Sequence, residues 1–297
     1  MSTSRAAVAE LYGKIAESEN TRLATHPMER EITLRAIRHH LSGFGSAADS
    51  RNQQKRIADV GGGPGKLAFA LADEGHHVDL VDLSPGLIDL ARQEQDNRRA
   101  NTQGDEHQAL LASIGVGDAL DQNLPLAAGS YDAVLLLGPL YHLLEEAERV
   151  AAVRNALNLA RPDGGLVFCA FVSVEAHLRD LAVREPQRLV EQREFYAAYL
   201  QNGRYARHNS TLGTTSQSFH TNSSDARDFL QRHFAAAADL VGLRSTEGIL
   251  GGGLDRSLVG AEPEVVQAWA DLMFEQYSEQ ERHLGGADHL LAVLRRK

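Results

Sequence analysis

The sequence has a single cysteine and no long hydrophobic segment. Cys169 has no second cysteine to form an intramolecular disulfide with, so we expect a reducing compartment. No run of about 18 apolar residues is present to cross a bilayer, and residues 1–7 lack the apolar core of a signal peptide. With 43% hydrophobic residues, the chain of 297 residues can still bury a sizeable core. These features predict a cytoplasmic protein that does not bind a membrane.

Positive charge is also scarce. The formal net charge is -10 and the isoelectric point is ≈ 5.7. A protein that binds the phosphates of nucleic acid usually carries a basic patch or stripe. We therefore expect a small-molecule substrate and no nucleic-acid partner, with modification of tRNA or DNA as a disfavoured alternative. The sequence leaves the oligomeric state open.

No pattern of metal ligands is recognisable in the sequence. The histidines of the pairs His39-His40 and His76-His77 are adjacent, so they point in different directions and lack the spacing of zinc ligands on a helix. An acidic pair suited to magnesium is not evident either. We therefore predict no metal.

A short strand pattern ends in a cluster of glycines. Residues 57–60 predict a strand, Gly61, Gly63 and Gly65 predict a tight turn, and an apolar helical pattern begins directly afterwards. Glycine permits a sharp turn and the close approach of a ligand, and the start of the next helix presents unpaired N–H groups. The dinucleotide fingerprint requires Gly or Ala where Lys66 stands, and no Gly-Lys-Ser/Thr follows as in a P-loop. We expect a nucleotide-like ligand, and an NAD-dependent oxidoreductase is disfavoured.

Three motifs in this order resemble those of the class I S-adenosylmethionine-dependent methyltransferases: residues 59–65, the acidic Asp82 at the end of the second strand, and residues 117–119. The resemblance implies that the glycine turn holds the methionine part of the cofactor S-adenosyl-L-methionine. It also implies that Asp82 accepts hydrogen bonds from the ribose hydroxyls and that Asp118 accepts one from the adenine amine. Hydroxyls and amines are donors and an ionised carboxylate is an acceptor, so these roles are chemically sound. The implied cofactor-binding residues are Asp59, Gly61, Gly63, Gly65, Asp82, Leu83, Asp118, Ala119 and Leu137.

The segment Gly138-Pro-Leu-Tyr-His-Leu143 follows the predicted fourth strand. In an open α/β sheet, ligands bind beyond the carboxyl ends of the strands, which is where this loop begins. The segment is similar to a loop in a branch of bacterial class I methyltransferases whose Tyr and His lie near the transferred methyl group. Tyr141 and His142 are therefore catalytic candidates, although a packed aromatic ring and a helix-capping histidine would explain them equally well. His220 is the third candidate, because a Phe-His-Thr sequence occurs at this point in the family.

The alternation of strands and helices predicts an α/β fold, a Rossmann-like seven-stranded sheet that is mostly parallel with an antiparallel last strand at residues 289–296. Two helices are predicted within residues 5–41, with a break at His26-Pro27, and two more within residues 175–207. We expect four regions: an N-terminal helical cap (1–50), the cofactor-binding core (51–174), a helical insertion over the substrate site (175–213) and the C-terminal part of the core (214–297).

Four residues on these helices are candidates for substrate contact. They are Tyr12, Arg22, His26 and Tyr196. Polar residues on an amphipathic helix are more often its solvated face, and aromatic residues at helical spacing are more often core.

The resemblance implies an enzyme that transfers a methyl group to an oxygen or nitrogen nucleophile of a small molecule. Such a reaction depends mainly on placing the nucleophile in line with the methyl group and excluding water. If a proton must be removed, His142 is the first choice of base, because imidazole titrates near neutral pH, and His220 or His26 follows. An N-methyltransferase acting on a peptide or natural-product amine is the alternative. A catalytically silent protein that binds S-adenosylmethionine is less expected.

Overall fold

The computed structural model describes residues 3–43, 54–101, 109–209 and 213–297. The predicted boundary between the N-terminal cap and the core, at residues 50 and 51, lies outside these ranges. The strands are β1 Arg56–Val60, β2 His77–Asp82, β3 Ser113–Val116, β4 Ala133–Leu136, β5 Leu166–Ser173, β6 Arg204–Asn209, β7 Thr214–Thr221, β8 Ala238–Ser245 and β9 His289–Arg296. The helices are α1 Thr3–Lys14, α2 Ala16–Arg22, α3 Pro27–Ser42, α4 Lys66–Asp73, α5 Pro85–Ala100, α6 Glu146–Leu159, α7 Val174–Arg184, α8 Arg188–Glu191, α9 Arg193–Asn202, α10 Ser223–Phe234, α11 Pro263–Gln276 and α12 Glu281–Leu284. Short 3-10 helices span Leu140–His142 and Leu254–Leu258.

The central sheet has the order β3-β2-β1-β4-β5-β9-β8. All its neighbours pair in parallel except β9, which runs antiparallel to both β5 and β8. The predicted seven-stranded, mostly parallel α/β sheet with an antiparallel last strand is thus confirmed. Strands β1, β2, β4 and β5 are buried almost throughout, because helices cover both faces of the sheet, as expected for parallel strands with apolar runs.

Two hydrophobic clusters occupy the two faces of this sheet. One includes Val134, Cys169 and Phe229, and the other includes Ile37, Phe69 and Phe168. Burial raises the pKa of the Cys169 thiol to about 12, so the only cysteine is a packing residue within β5.

The N-terminal segment forms three helices, whereas two were predicted. The first predicted helix is divided at Ile15, whose φ of -107° and ψ of 14° are not helical. The predicted break at His26-Pro27 is confirmed: α3 begins at Pro27, and proline suits the first turn because it lacks only an N–H that would be unpaired there.

The insertion after β5 contains a β-hairpin in addition to its helices. Strand β6 was not predicted: its first residues fall within the range 175–207, where only helices were expected, and its mostly polar sequence gives no strand pattern. It pairs antiparallel with β7, and β7 also adjoins the end of β5 through His220 and Thr221. The hairpin therefore extends the sheet beside the carboxyl end of β5.

Candidate functional site

A large cavity lies at the carboxyl ends of β1, β2 and β4, covered by residues of α1, α2 and α3. Its empty volume, including the open mouth, is ≈ 1360 Å³. It brings together most of the residues predicted from the sequence, namely Tyr12, Arg22, Asp59, Gly61, Gly63, Asp82, Leu83, Asp118, Ala119, Leu137, Tyr141 and His142. The cavity is therefore the candidate active site.

The glycine turn has a backbone that only glycine adopts without strain. Gly61, Gly63 and Gly65 have φ values of 77°, 58° and 79°. A Cβ atom on Gly61 would lie 2.5 Å from Cγ of Pro139, so the turn also packs closely against the next loop. Gly65 does not line the cavity; a Cβ there would lie 3.0 Å from Cδ2 of Leu80, and the residue thus allows α4 to pack on β2.

Asp82 is held by the turn and still has room for a ligand. Its Oδ2 accepts the N–H of Gly63 at 2.8 Å and its Oδ1 accepts the N–H of Ser84 at 2.8 Å. Each carboxylate oxygen has two lone pairs, so each can accept a further hydrogen bond. Burial raises the pKa of Asp82 against these two hydrogen bonds, and burial followed by the charge of Asp82 raises the pKa of Asp59 to about 7. Two crowded, buried carboxyl groups favour a ligand rich in donors.

Asp118 contacts the first helix of the chain. Its Oδ2 accepts a hydrogen bond from Nη1 of Arg5 at 2.7 Å, and its Oδ1 accepts the N–H of Leu120 at 3.0 Å. Arg5, which the sequence analysis did not single out, therefore lies at this end of the cavity. Gly61, Gly63, Asp82, Asp118 and Leu137 together are called the cofactor half below.

The opposite part of the cavity contains a tyrosine bonded to a histidine. The Tyr12 hydroxyl lies 2.7 Å from Nε2 of His142, and the Nδ1 of His142 lies 3.5 Å from the backbone oxygen of Gln217 in β7. A neutral imidazole satisfies both contacts when Nδ1 carries the proton and Nε2 accepts the tyrosine hydroxyl. Burial lowers the pKa of His142 to about 4, so the ring is neutral near pH 7. Burial also raises the pKa of Tyr12 and, to about 12, that of Tyr141.

A network of charged side chains lies in the same part of the cavity. Arg22 donates from Nε to Oε1 of Glu19 at 2.8 Å and from Nη1 to Oε2 of Glu29 at 2.7 Å. His289, at the start of β9, lies with Nδ1 2.9 Å from Oε1 of Glu247 and 3.9 Å from Oε2 of Glu29. Burial alone would raise the pKa of Glu29, but Arg22 and His289 outweigh it and the pKa is about 2.

For the pKa of His289, burial and neighbouring charge act in the opposite directions to those for Glu29. Burial alone would lower its pKa, but Glu29 and Glu247 raise it to about 9. Both groups are therefore ionised at neutral pH. The part of the cavity that contains the predicted substrate contacts Tyr12 and Arg22 is called the substrate half below. It consists of seven lining residues: Tyr12, Glu19, Arg22, Glu29, Tyr141, His142 and His289.

Three residues of this half, Glu19, Glu29 and His289, were not predicted from the sequence. The two glutamates resemble the solvated face of helices, and His289 is the first residue of a correctly predicted strand. No local pattern marks them, because only the packing of α2, α3 and β9 brings them together.

Two other candidates lie outside the cavity lining. His220 is 8% exposed, with the Tyr199 hydroxyl 2.7 Å from its Nδ1 and the Ser218 hydroxyl 2.8 Å from its Nε2. Burial lowers its pKa to about 3. Tyr196 is 1% exposed and packs with Tyr199 and Tyr205 in the core of the insertion.

His26, the remaining candidate, also does not line the cavity. It precedes α3, and its Nδ1 lies 3.7 Å from Oδ1 of the buried Asp255.

Within the described ranges, no group of three or more His, Cys, Asp or Glu side chains is arranged to hold a metal ion. No helix formed by the described residues is long and apolar enough to span a membrane.

Comparison with known proteins assigns part of the chain, including the glycine turn and the loop after β4, to a recognised domain. Residues 57–164 match a family profile described as a methyltransferase domain. The tRNA 5-carboxymethoxyuridine methyltransferase of Escherichia coli (strain K12) is 46% identical over 46 residues, which are 16% of this chain and 18% of that protein. The glycine N-methyltransferase of Homo sapiens is 31% identical over 123 residues, which are 38% of this chain and 39% of that protein. The chain thus spans less than half the length of these curated relatives.

Solved structures share the fold over a larger part of the chain. The crystal structure of magnesium protoporphyrin IX methyltransferase from Synechocystis PCC 6803 with bound SAH has a TM-score of 0.54 at 13% identity, covering 99% of this chain and 100% of that one. A SAM-dependent methyltransferase from Methanosarcina mazei has a TM-score of 0.52 at 15% identity, covering 86% of this chain and 98% of that one. Similarity at such identities establishes the common fold.

Proposed function

We propose that this protein, which contains a class I S-adenosylmethionine-dependent methyltransferase domain, transfers a methyl group to an oxygen or nitrogen nucleophile of a small molecule. The observation that carries the proposal is the convergence of the glycine turn, Asp82 and Asp118 on one cavity. These groups are separated along the chain, and their meeting at the carboxyl edge of the sheet matches the position of ligand sites in open α/β folds.

The residues of the cofactor half fit S-adenosylmethionine. Gly61 and Gly63 leave the backbone open for the methionine part, and Asp82 has free lone pairs for the ribose hydroxyls. Asp118 suits the adenine amine, because each of its carboxylate oxygens accepts one hydrogen bond and keeps a lone pair for another. Asp59, Leu83, Ala119 and Leu137 complete the proposed site, and Gly65 supports it from behind the turn. When bound, S-adenosylmethionine supplies a methyl group already activated by the positive sulfur.

The substrate half would then position the nucleophile and exclude water. Proximity can supply most of the rate of such a reaction. His142 is neutral, and its Nε2 is an acceptor, so it is the proposed site for the proton lost by the nucleophile once the Tyr12 hydroxyl moves aside. Tyr141 lies beside it, with the two ring centroids 4.7 Å apart. His220 is surrounded by the core of the insertion, and we assign it the support of the hairpin.

Two alternatives make different demands on the site. A methyltransferase acting on tRNA, as the name of the Escherichia coli relative describes, needs a cationic surface for phosphates, which the net charge of -10 disfavours. An amine substrate that arrives as its ammonium ion is bound favourably by carboxylates, and Glu19 and Glu29 line the cavity.

Isothermal titration calorimetry tests whether the protein binds the cofactor that the proposal requires. We expect micromolar binding of S-adenosylhomocysteine and no binding of NADH. The reverse result, or indifference to both compounds, would remove the support for a methyltransferase.

A further inference from the structure

The substrate half, with the Glu247 that holds His289, contains more carboxylates than cations. Arg22 is bonded to Glu19 and Glu29, and His289 is bonded to Glu247. Together these groups carry three negative and two positive charges, and the third carboxylate, Glu247, lies behind His289 and outside the cavity lining. The pKa of Glu29, about 2, and that of His289, about 9, keep both groups ionised at neutral pH.

Two carboxylate oxygens in this wall are free to accept hydrogen bonds. Both contacts of Glu29, with Arg22 at 2.7 Å and with His289 at 3.9 Å, are made by Oε2. Its Oε1 accepts no hydrogen bond from any residue in the described part of the chain, and neither does Oε2 of Glu19. The two side chains are 13% and 21% exposed and both line the cavity. Partly buried carboxylate oxygens without donors favour a ligand that brings its own N–H groups.

Two aromatic rings border the same space. Tyr12 and Tyr141 line the cavity, and the negative face of a tyrosine ring attracts a cation. After burial, the carboxylates of Glu19 and Asp82 contribute to raising the pKa of both phenols, while Arg22 opposes them. The two phenols thus lie within the influence of these carboxylates, although Arg22 offsets part of it.

We infer that the substrate binds as a cation, through a primary or secondary ammonium group whose N–H groups reach the free oxygens of Glu29 and Glu19. This inference rests on the proposed function and narrows its substrate class to amines. Because an ammonium ion has no lone pair, its nitrogen must lose a proton, for which Nε2 of His142 is the proposed acceptor, before it takes the methyl group. Arg22 does not favour a carboxylate substrate, since two carboxylates already compensate its single charge. Glu29 and Glu19 are therefore specificity residues that distinguish an amine from an alcohol of the same shape.

The test compares probes of similar size that carry a positive, a neutral or a negative group. Benzylamine, benzyl alcohol and benzoate form one set, and cyclohexylmethylamine, cyclohexylmethanol and cyclohexanecarboxylate form another. Each is titrated by calorimetry at pH 7 into the full chain saturated with S-adenosylhomocysteine. We expect the ammonium member of at least one set to bind about tenfold or more tightly than its alcohol, the value of one charge-assisted hydrogen bond. Equal binding, no binding by any member, or tighter binding of the carboxylates would overturn the inference.

Substitution identifies the residues responsible. In Glu29→Gln and in Glu19→Gln, the preference for the ammonium probe should fall to about threefold or less, because the amide keeps the shape and loses the charge. Glu17→Gln is the matched control: Glu17 lies on α2 beside Glu19, is exposed and does not line the cavity. The preference of the Glu17→Gln variant for the ammonium probe should equal that of the unaltered protein. If Glu29→Gln does not fold, Glu19→Gln still tests the assignment, because the ion pair between Arg22 and Glu29 remains in the Glu19→Gln variant. A preference unchanged in both folded variants would contradict the assignment.

The same titrations separate this inference from the function on which it rests. If S-adenosylhomocysteine binds but the ammonium probes are not preferred, the inference is wrong and the proposed function stands. If S-adenosylhomocysteine does not bind, the proposed function is wrong and the inference fails with it.

Discussion

The cofactor half and the substrate half of the cavity are built in different ways. The cofactor half uses strand ends and a glycine turn, so backbone geometry places its groups, as the hydrogen bond from the Gly63 N–H to Asp82 illustrates. The substrate half uses side chains from the N-terminal helices, the loop after β4 and the last strand. The position of the cofactor half is therefore set by the order of the strands, whereas the substrate half depends on which side chains the surrounding helices provide.

The largest expected effect is in the substrate half. His142→Ala should lower kcat by about 100-fold or more if the ring accepts the proton, the lower end of the usual contribution of a general base. Affinity for S-adenosylhomocysteine should not change, because His142 is not among the cofactor residues. His233→Ala, which removes a histidine bonded to Glu146 outside the cavity, is the control. A kcat that is unchanged across the pH range would exclude His142 from proton transfer.

The matching change in the cofactor half is Asp82→Asn. It should weaken binding of S-adenosylhomocysteine by about 100-fold, because an amide replaces a carboxylate that holds the turn and is proposed to accept two hydroxyl hydrogen bonds. Asp89→Asn on α5 is the control, since that carboxylate is 66% exposed. Calorimetry would count against the proposed role of Asp82 if both variants bound equally well.

A third change tests whether backbone geometry limits the cofactor half. Gly61→Ala and Gly260→Ala both place a side chain at positive φ, 77° and 78°, and only the first also meets Pro139. Both should lose about 1 kcal/mol of stability from backbone strain. Gly61→Ala should lose about 1–3 kcal/mol more from overpacking. Urea unfolding measures the difference, and equal losses would mean that the turn tolerates the added methyl group.

The smallest expected effects are changes in stability with pH, which have opposite signs for His142 and Asp59. The pKa of His142 is lowered to about 4, so the unfolded chain binds its proton first and stability falls as the pH drops from 6.5 towards 4. The pKa of Asp59 is raised to about 7, so the folded chain binds its proton first and stability rises as the pH drops from 7 towards 3.8. Each contributes about 1 kcal/mol between pH 6.5 and 5.5, with opposite sign.

Variants separate the two contributions. Compared with the unaltered protein, His142→Asn should lose less stability between pH 6.5 and 5.5, and Asp59→Asn should lose more. Urea unfolding at the two pH values measures both slopes. Slopes that do not differ from that of the unaltered protein would mean that these groups are not perturbed in the folded state.

The same contrast explains how much could be predicted from the sequence. The bounds of β9, the start of α3 at Pro27 and the meeting of Gly61, Asp82 and Asp118 followed from local patterns and from the rule that parallel strands end at one edge. The hairpin partner β6 did not, because its polar residues give no strand pattern and its pairing with β7 comes from contact across the insertion.

The least predictable residues were those whose position depends on distant packing. Glu29 and His289 are 260 positions apart in the sequence, yet they lie on one wall of the cavity. His220 is a polar residue whose hydrogen bonds to Tyr199 and Ser218 draw it into the core of the insertion. A sequence gives the identity of such residues without giving their neighbours.

Helix α1 contacts both halves of the cavity, through Arg5 on Asp118 and Tyr12 on His142. Because Arg5 and Tyr12 lie on the same helix, a displacement of α1 would break both bonds together and expose both halves of the cavity at once.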